Sequence, residues 1–241
     1  MDGFGFWPLL GDAERAGLTA AARPRVFAPG SVLCVEGEPT THVFIVLSGW
    51  VKIITVTREG REMLEALRGA GDVIGDIAGT ITGYRTATIQ AIDTVRTLIL
   101  GAAQFVEFLD GHPNAAHAHR QAMAGRQQAA FALQRSQVLF SGAQRLARLL
   151  LDLDERVAEP GHGMTTASLP LSQEELASLI GASRSTVTRA LHDWRSRRII
   201  RTDQRHITIL DRPRLLRLAG RSPRDALRRP SRRLRSAVPR F

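Results

Sequence analysis

The chain has 241 residues, 44% of them hydrophobic and 23% charged, one cysteine and a formal net charge of +10, enough chain for two ordinary domains with their own cores. A single cysteine, Cys34, excludes an internal disulfide and any thiolate-rich zinc or iron–sulfur cluster within one chain. The longest apolar run, Val43 to Leu47, is strand-sized and far short of the roughly 18 residues that a membrane-spanning helix needs.

Charge is unevenly placed. Residues 1–110 carry 9 basic against 13 acidic side chains, whereas residues 183–241 carry 18 against 4, so the whole excess lies in the last quarter. That asymmetry points to a polyanion partner, most simply nucleic acid, bound by the C-terminal part. Of the 33 basic residues only Lys52 is a lysine. A compositional bias explains Arg over Lys, but it does not explain why acids become scarce after Ser183.

The opening MDGFGFWPLLGDAER has an acid at position 2 and no basic n-region, so it does not read as a signal peptide, and a cytoplasmic protein without membrane contact is expected. From Pro24 to about Leu100 short apolar or alternating runs such as SVLCVEGEP, HVFIVLSG, WVKIITVTREG and TVRTLILG are broken by glycine. Strands of this length at near-regular spacing predict an antiparallel β domain. Cys34, inside VLCVEGE, reads as an inert core thiol.

Within this region Gly71 to Ala91 reads GDVIGDIAGTITGYRTATIQA. Backbone amides beside one guanidinium favour an anion. Arg85 therefore reads either as an anion contact or as a surface arginine salt-bridged to Asp76, and both readings stand at this point.

From about Ala103 to Glu159 the composition turns to helix formers, with Pro113 suited to the first turn of a long helix reaching about Val138. Met123, Ala130 and Gln137 fall seven apart and suggest a dimer seam along it. His112, His117 and His119 lack the convergent partners of a metal site. AQRLARLLLDLDERVAE then places Leu146, Leu149, Leu150 and Leu153 on one face of an amphipathic helix, and PGHGMTTASLP reads as a linker or turn region.

After Pro170, Ser172 and Glu175 form a capping box for a first short helix, Gly181 makes the turn, and Ser183 caps a second helix whose buried side is Val187, Ala190, Leu191 and Trp194. Two helices with glycine in the turn predict a helix-turn-helix, and IIRTDQRHITIL predicts a two-stranded wing. The second helix of such a unit enters the major groove, which leaves Arg184, Ser185, Thr188, Arg189 and His192 on its open face. Ser172 and Gln173, at the start of the first helix, are placed to bond backbone phosphate, and the cap residue Ser183 is counted with them among the DNA contacts. The tail from residue 221 to 241 is arginine- and proline-rich and predicts disorder.

SQEELASLIGASRSTVTRAL resembles the helix-turn-helix of the CRP/FNR superfamily of bacterial transcription regulators. FAPGSVLCVEGEPTTHVFIVLSGWVKI resembles that family's cyclic-nucleotide-binding β-roll, and the middle helix its dimerisation helix. The resemblance implies an α+β fold: a β-roll with dimerisation helix over 1–138 (helix about 112–138), a winged helix-turn-helix over 139–220 and a basic tail over 221–241. It further implies a non-enzymatic homodimer that binds DNA and, as a partner, RNA polymerase. On the residues, Gly75, Asp76 and Ile77, then Arg85, Thr86 and Ala87, match the family's phosphate cassette, in which amides and arginine hold a cyclic phosphate and the acid bonds the ribose hydroxyl. Asp76 stands where cyclic-AMP-responsive members have glutamate, the spacing to Arg85 is one residue shorter, and Ala130 and Phe131 replace hydroxyls that face adenine. The pocket is thus implied to be a retuned cyclic-nucleotide site, with Phe131 stacking on or filling it, or a vestigial, ligand-free one. A chain whose main output is small-molecule sensing is the other reading. On the recognition helix Arg184 and Arg189 match the base-reading arginines, whereas Ser185 stands in place of a glutamate and Arg198 in place of a glycine or asparagine after the helix.

Overall fold

The computed structural model describes residues 5–77, 83–157, 166–167, 170–203 and 206–221, which form two units divided after Gln128. In the first, a single 3₁₀ turn (Trp7–Leu9) and α1 (Asp12–Ala21) precede eight strands: β1 (Arg23–Phe27), β2 (Val32–Cys34), β3 (His42–Ser48), β4 (Val51–Val56), β5 (Glu62–Arg68), β6 (Val73–Ile74), β7 (Thr88–Ala91) and β8 (Val95–Gly101). Then come α2 (Ala102–Gly111) and α3 (Pro113–Leu139). The strands form two four-stranded antiparallel sheets, ordered β1-β8-β3-β6 and β2-β7-β4-β5.

Strand β3 explains how the layers stack. In HVFIVLS successive side chains leave opposite faces, yet Val43, Phe44, Ile45 and Val46 are all buried. Phe44 and Val46 join Phe27, Cys34, Val51, Ile89 and Val95 in the core between the sheets. Val43 and Ile45 join Phe6, Leu18, Leu98, Phe105, Ala115, Ala118 and Ala122 in a second core, where the helices cover the outer face. A strand buried on both faces has to read as a continuous apolar run. Helix α1 was not anticipated from the sequence; its start is set by the Glu14 carboxylate, which accepts from Gly11 N–H at 2.7 Å.

The second unit holds the end of α3, then α4 (Gly142–Val157), β9 (Thr166–Ala167), α5 (Gln173–Ile180), α6 (Arg184–Ser196), β10 (Ile200–Asp203), β11 (His206–Ile209) and α7 (Arg212–Leu218). Leu146, Leu149, Leu150 and Leu153 are buried, as the amphipathic pattern of α4 predicts. The linker reading of PGHGMTTASLP needs correction. Thr166 and Ala167 pair with Thr208 and Ile207, so β9 is a third wing strand that covers the otherwise open edge of β11. The disordered-tail reading also needs correction at its first residue, because Arg221 donates to the Asp152 carboxylate at 2.8 Å. Residues 222–241 lie outside the described residues. Arg198, beyond α6, has φ 54°, the left-handed region that glycine or asparagine enters at less cost.

Candidate nucleic-acid interface and effector pocket

The helix-turn-helix forms as its sequence dictates. Ser172 Oγ accepts from Glu175 N–H at 3.2 Å while the Glu175 carboxylate accepts from Ser172 N–H at 2.7 Å. Gly181 closes α5 with φ 59°, and Ser183 Oγ accepts from Thr186 N–H at 3.2 Å to start α6. Leu176, Leu179, Ile180, Val187, Leu191 and Trp194 are buried. Arg184, Ser185, Thr188, Arg189 and His192 are all exposed, at spacings of one and four that put them on one helix face.

Hydrogen bonds grade these side chains. Thr188 Oγ1 donates to Gln173 Oε1 at 2.5 Å, fixing the first exposed residue of α5 against α6. Ser185 Oγ is tied to Ser183 Oγ at 2.9 Å, which holds it close to the backbone. Arg189 makes a 3.3 Å bond to Ser185 O and has no acidic partner among the described residues. Arg184 lies 3.9 Å from the Glu174 carboxylate, both ends being well exposed, so this pair contributes little and leaves the guanidinium available.

Sequence reasoning missed Arg145. Its guanidinium donates to Ile180 O at 2.7 Å, Gly181 O at 2.9 Å and Phe140 O at 2.7 Å, serving the C-terminal carbonyls of both α3 and α5.

In the first unit, a cavity of about 150 Å³ is lined by Ile53, Arg68, Ile74, Gly75, Asp76, Ile77, Arg85, Thr86, Ala87 and Arg126 among others. Six of the seven ligand-site residues expected from the sequence meet here. Phe131, the seventh, lies on the stretch of α3 in the second unit and is 53% exposed.

The surface salt bridge between Arg85 and Asp76 does not form. Arg85 is only 4% exposed. Backbone bonds from Arg85 N to Glu38 O and from Gly37 N to Arg85 O, both 2.8 Å, hold the segment ahead of β7 in place. Nη2 donates to His42 O at 3.0 Å and the guanidinium lies 5.2 Å from the Phe44 ring centroid. Nη1 is buried with no hydrogen-bond partner among the described residues. Burial pulls the Arg85 pKa down, opposed by Cys34 and Glu38. Gly75 has φ 77°, and a Cβ there would run into Nη1, so glycine is needed for both conformation and space.

Asp76 has other partners. Its Oδ2 is 2.9 Å from His119 Nε2 and is also bonded by Arg126 Nη2, while Arg126 Nη1 donates to Val73 O at 2.8 Å. Burial pushes the Asp76 pKa up, but the hydrogen bond from His119 and the charge of Arg126 outweigh it and hold it below the usual carboxylate range. A signal for both partners was present in the sequence. Ala115, Ala118 and Ala122 are a small-residue stripe that packs on the roll, and His119 and Arg126, one and three turns beyond Ala115, share that face. A polar side chain on a buried helix face requires a partner. Cys34 is buried, and burial pushes its thiol pKa up, in keeping with a core role. Among the described residues no group of three His, Cys, Asp or Glu side chains is placed to hold a metal ion.

Comparison with known proteins agrees with both halves. Residues 24–112 match the cyclic nucleotide-binding domain model and residues 144–218 the Crp-like helix-turn-helix model. A CRP-like cAMP-activated global transcriptional regulator of Mycobacterium tuberculosis is 31% identical over 204 residues, covering 85% of this chain and 91% of that one. The fumarate and nitrate reduction regulatory protein of Escherichia coli K12 is 23% identical over 203 residues, covering 82% and 79%. In three dimensions, FixK2 from Bradyrhizobium japonicum shares the fold at TM-score 0.68 and 23% identity, over 82% of this chain and 96% of that one. A winged helix-turn-helix with an open basic recognition face, a β-roll whose cassette lines a cavity and a relative at this identity over most of both chains agree: the chain belongs to the CRP/FNR family of transcription regulators.

Proposed function

We propose that the chain acts in the cytoplasm as a homodimer that reads a near-palindromic DNA site with Arg184 and Arg189, and that a phosphate-bearing effector docks at Arg85. The observation that carries the effector reading is the buried Arg85 Nη1 facing Gly75 with its hydrogen-bonding capacity unused. A buried cation without an acceptor is costly, and an anionic ligand removes that cost. The relative from Mycobacterium tuberculosis is cAMP-activated by name, which makes a cyclic nucleotide the first ligand to try. Gly75 borders the guanidinium, Thr86 lines the same cavity, and Ile53 and Ile89 offer apolar wall.

Helix α3 supports the dimer. Phe131, Val138 and Leu139 are 53%, 87% and 68% exposed, and Phe131 and Val138 are seven apart beside the Met123–Ala130–Gln137 seam. Apolar side chains at heptad spacing on a long helix favour a second helix against them. The two recognition helices of such a dimer would enter successive major grooves, from which family members engage RNA polymerase.

Calorimetry with cyclic mono- and dinucleotides on the wild-type protein and an Arg85→Ala variant tests the effector reading. Binding by the wild type and its loss in the variant is expected. Silence from every nucleotide would leave a DNA-binding regulator with a ligand-free roll.

A further inference from the structure

Arg68 ends β5, the edge strand of the sheet ordered β2-β7-β4-β5. Register decides which way it faces. Arg68 stands opposite Val51, which stands opposite Ala91, and Ala66, Ile53 and Ile89 form the neighbouring row. Side chains directly opposite in an antiparallel pair share a face, and Val51, Ala91 and Ile89 belong to the core between the sheets. An arginine therefore occupies the inner face of this sheet, where aliphatic side chains are the rule. Its half-buried side chain lines the cavity, and Nη1 donates to Leu67 O at 3.0 Å.

Arg85 reaches the same cavity by another route. It precedes β7 and lies 5.2 Å from the ring centroid of Phe44, a member of that same core. The described residues that line the cavity carry three guanidinium groups, of Arg68, Arg85 and Arg126, against one carboxylate, of Asp76, to which Arg126 is bonded. The lining is thus in excess by two positive charges. A cyclic mononucleotide brings one negative charge and would leave the lining still positive. Apart from Thr86 the other lining residues are aliphatic or glycine, so charge dominates what the walls offer a ligand.

We propose that Arg68 is a specificity-determining residue that forms a second anion subsite, so that the effector carries two separated negative groups, a phosphate at Arg85 and a second phosphate or carboxylate at Arg68. A guanidinium fork suits either kind of oxygen pair. This deepens the phosphate-effector reading given above and rests on it. The ligand class is a compact phosphate ester with a second anionic group, beside which a singly charged cyclic nucleotide is a weak ligand.

Calorimetry on the full chain with cyclic AMP and adenosine 3′,5′-bisphosphate is the test, because the two share base and sugar and differ in the number and separation of negative charges. The wild-type protein should bind the bisphosphate at least about tenfold more tightly, the effect of one hydrogen bond between charged groups. Arg68→Leu, which suits the apolar face, should remove that preference while cyclic AMP binding stays within about twofold, and Arg68→Lys should keep most of it. A wild-type ratio that does not favour the bisphosphate overturns the proposal. So does a preference that survives Arg68→Leu, which would leave Arg68 a charge that guards an edge strand. Should Arg68→Leu fail to fold, Arg68→Gln takes its place with the same expected loss. In either failure, cyclic AMP binding that Arg85→Ala abolishes keeps the effector reading standing. If neither nucleotide binds the wild type, that reading is lost and the second subsite with it.

Discussion

Arg145 Nη2 donates to Gly181 O at 2.9 Å, so the left-handed turn of the helix-turn-helix is held by a residue of the first turn of α4. The same guanidinium serves Ile180 O and Phe140 O. Arg145→Met keeps the stem and removes every donor. It should destabilise the C-terminal unit by about 2 kcal/mol, the cost of leaving helix-end carbonyls unmet. Denaturant unfolding measures this, and DNA affinity should fall in parallel as the turn between α5 and α6 loosens.

Arg85 should show the opposite balance between stability and binding. Arg85→Met replaces a buried guanidinium with an unpaired Nη1 by an apolar chain of similar length. The ligand-free protein should unfold at the same or a higher temperature. Saturation at about 100 times Kd stabilises a wild-type protein by about 2.7 kcal/mol, and that gain should vanish in the variant, as read by thermal melts with and without effector.

Most of the fold was legible because its signals are local. Ser172, Gly181 and Ser183 act within four residues of themselves, and the alternation in the strands is set by the chain. The pocket was legible only by order. Gly75 and Arg85 come together as expected, but the alternative pairing of Asp76 with Arg85, nine residues away, does not form: Asp76 pairs with His119 and Arg126, 43 and 50 residues away. Such pairings depend on how α3 packs on the sheet, which spacing within one segment does not encode. β9 was missed for a similar reason: a two-residue strand exists only through its partner β11.

Arg198 stores strain. At φ 54° an L-residue with a Cβ costs about 1–2 kcal/mol, partly offset when glycine loosens the unfolded chain. Arg198→Gly should therefore raise unfolding free energy by about 0.5–1 kcal/mol in urea titrations, while lowering nonspecific DNA affinity through the lost charge.

Asp76 sets an acid limb. Its folded pKa lies below the unfolded value of about 3.9. Its stabilisation is therefore fully present above the unfolded pKa and is lost as pH falls through the folded one. Asp76→Asn should be less stable than wild type by a constant amount above about pH 5, and that gap should begin to narrow near about pH 4 and close as pH falls through the folded pKa in urea unfolding series.

The DNA claim is tested most directly by selection from a randomised duplex library with the full chain and with Arg189→Ala. The wild type should enrich an inverted repeat with half-site centres about 34 Å apart. The base pair facing the backbone-tied Ser185 should be weakly specified. Arg189→Ala should lose about 1–3 kcal/mol and relax one position in each half-site. Enrichment of no two-fold motif by the wild type, or an unchanged motif and affinity for Arg189→Ala, would contradict the account.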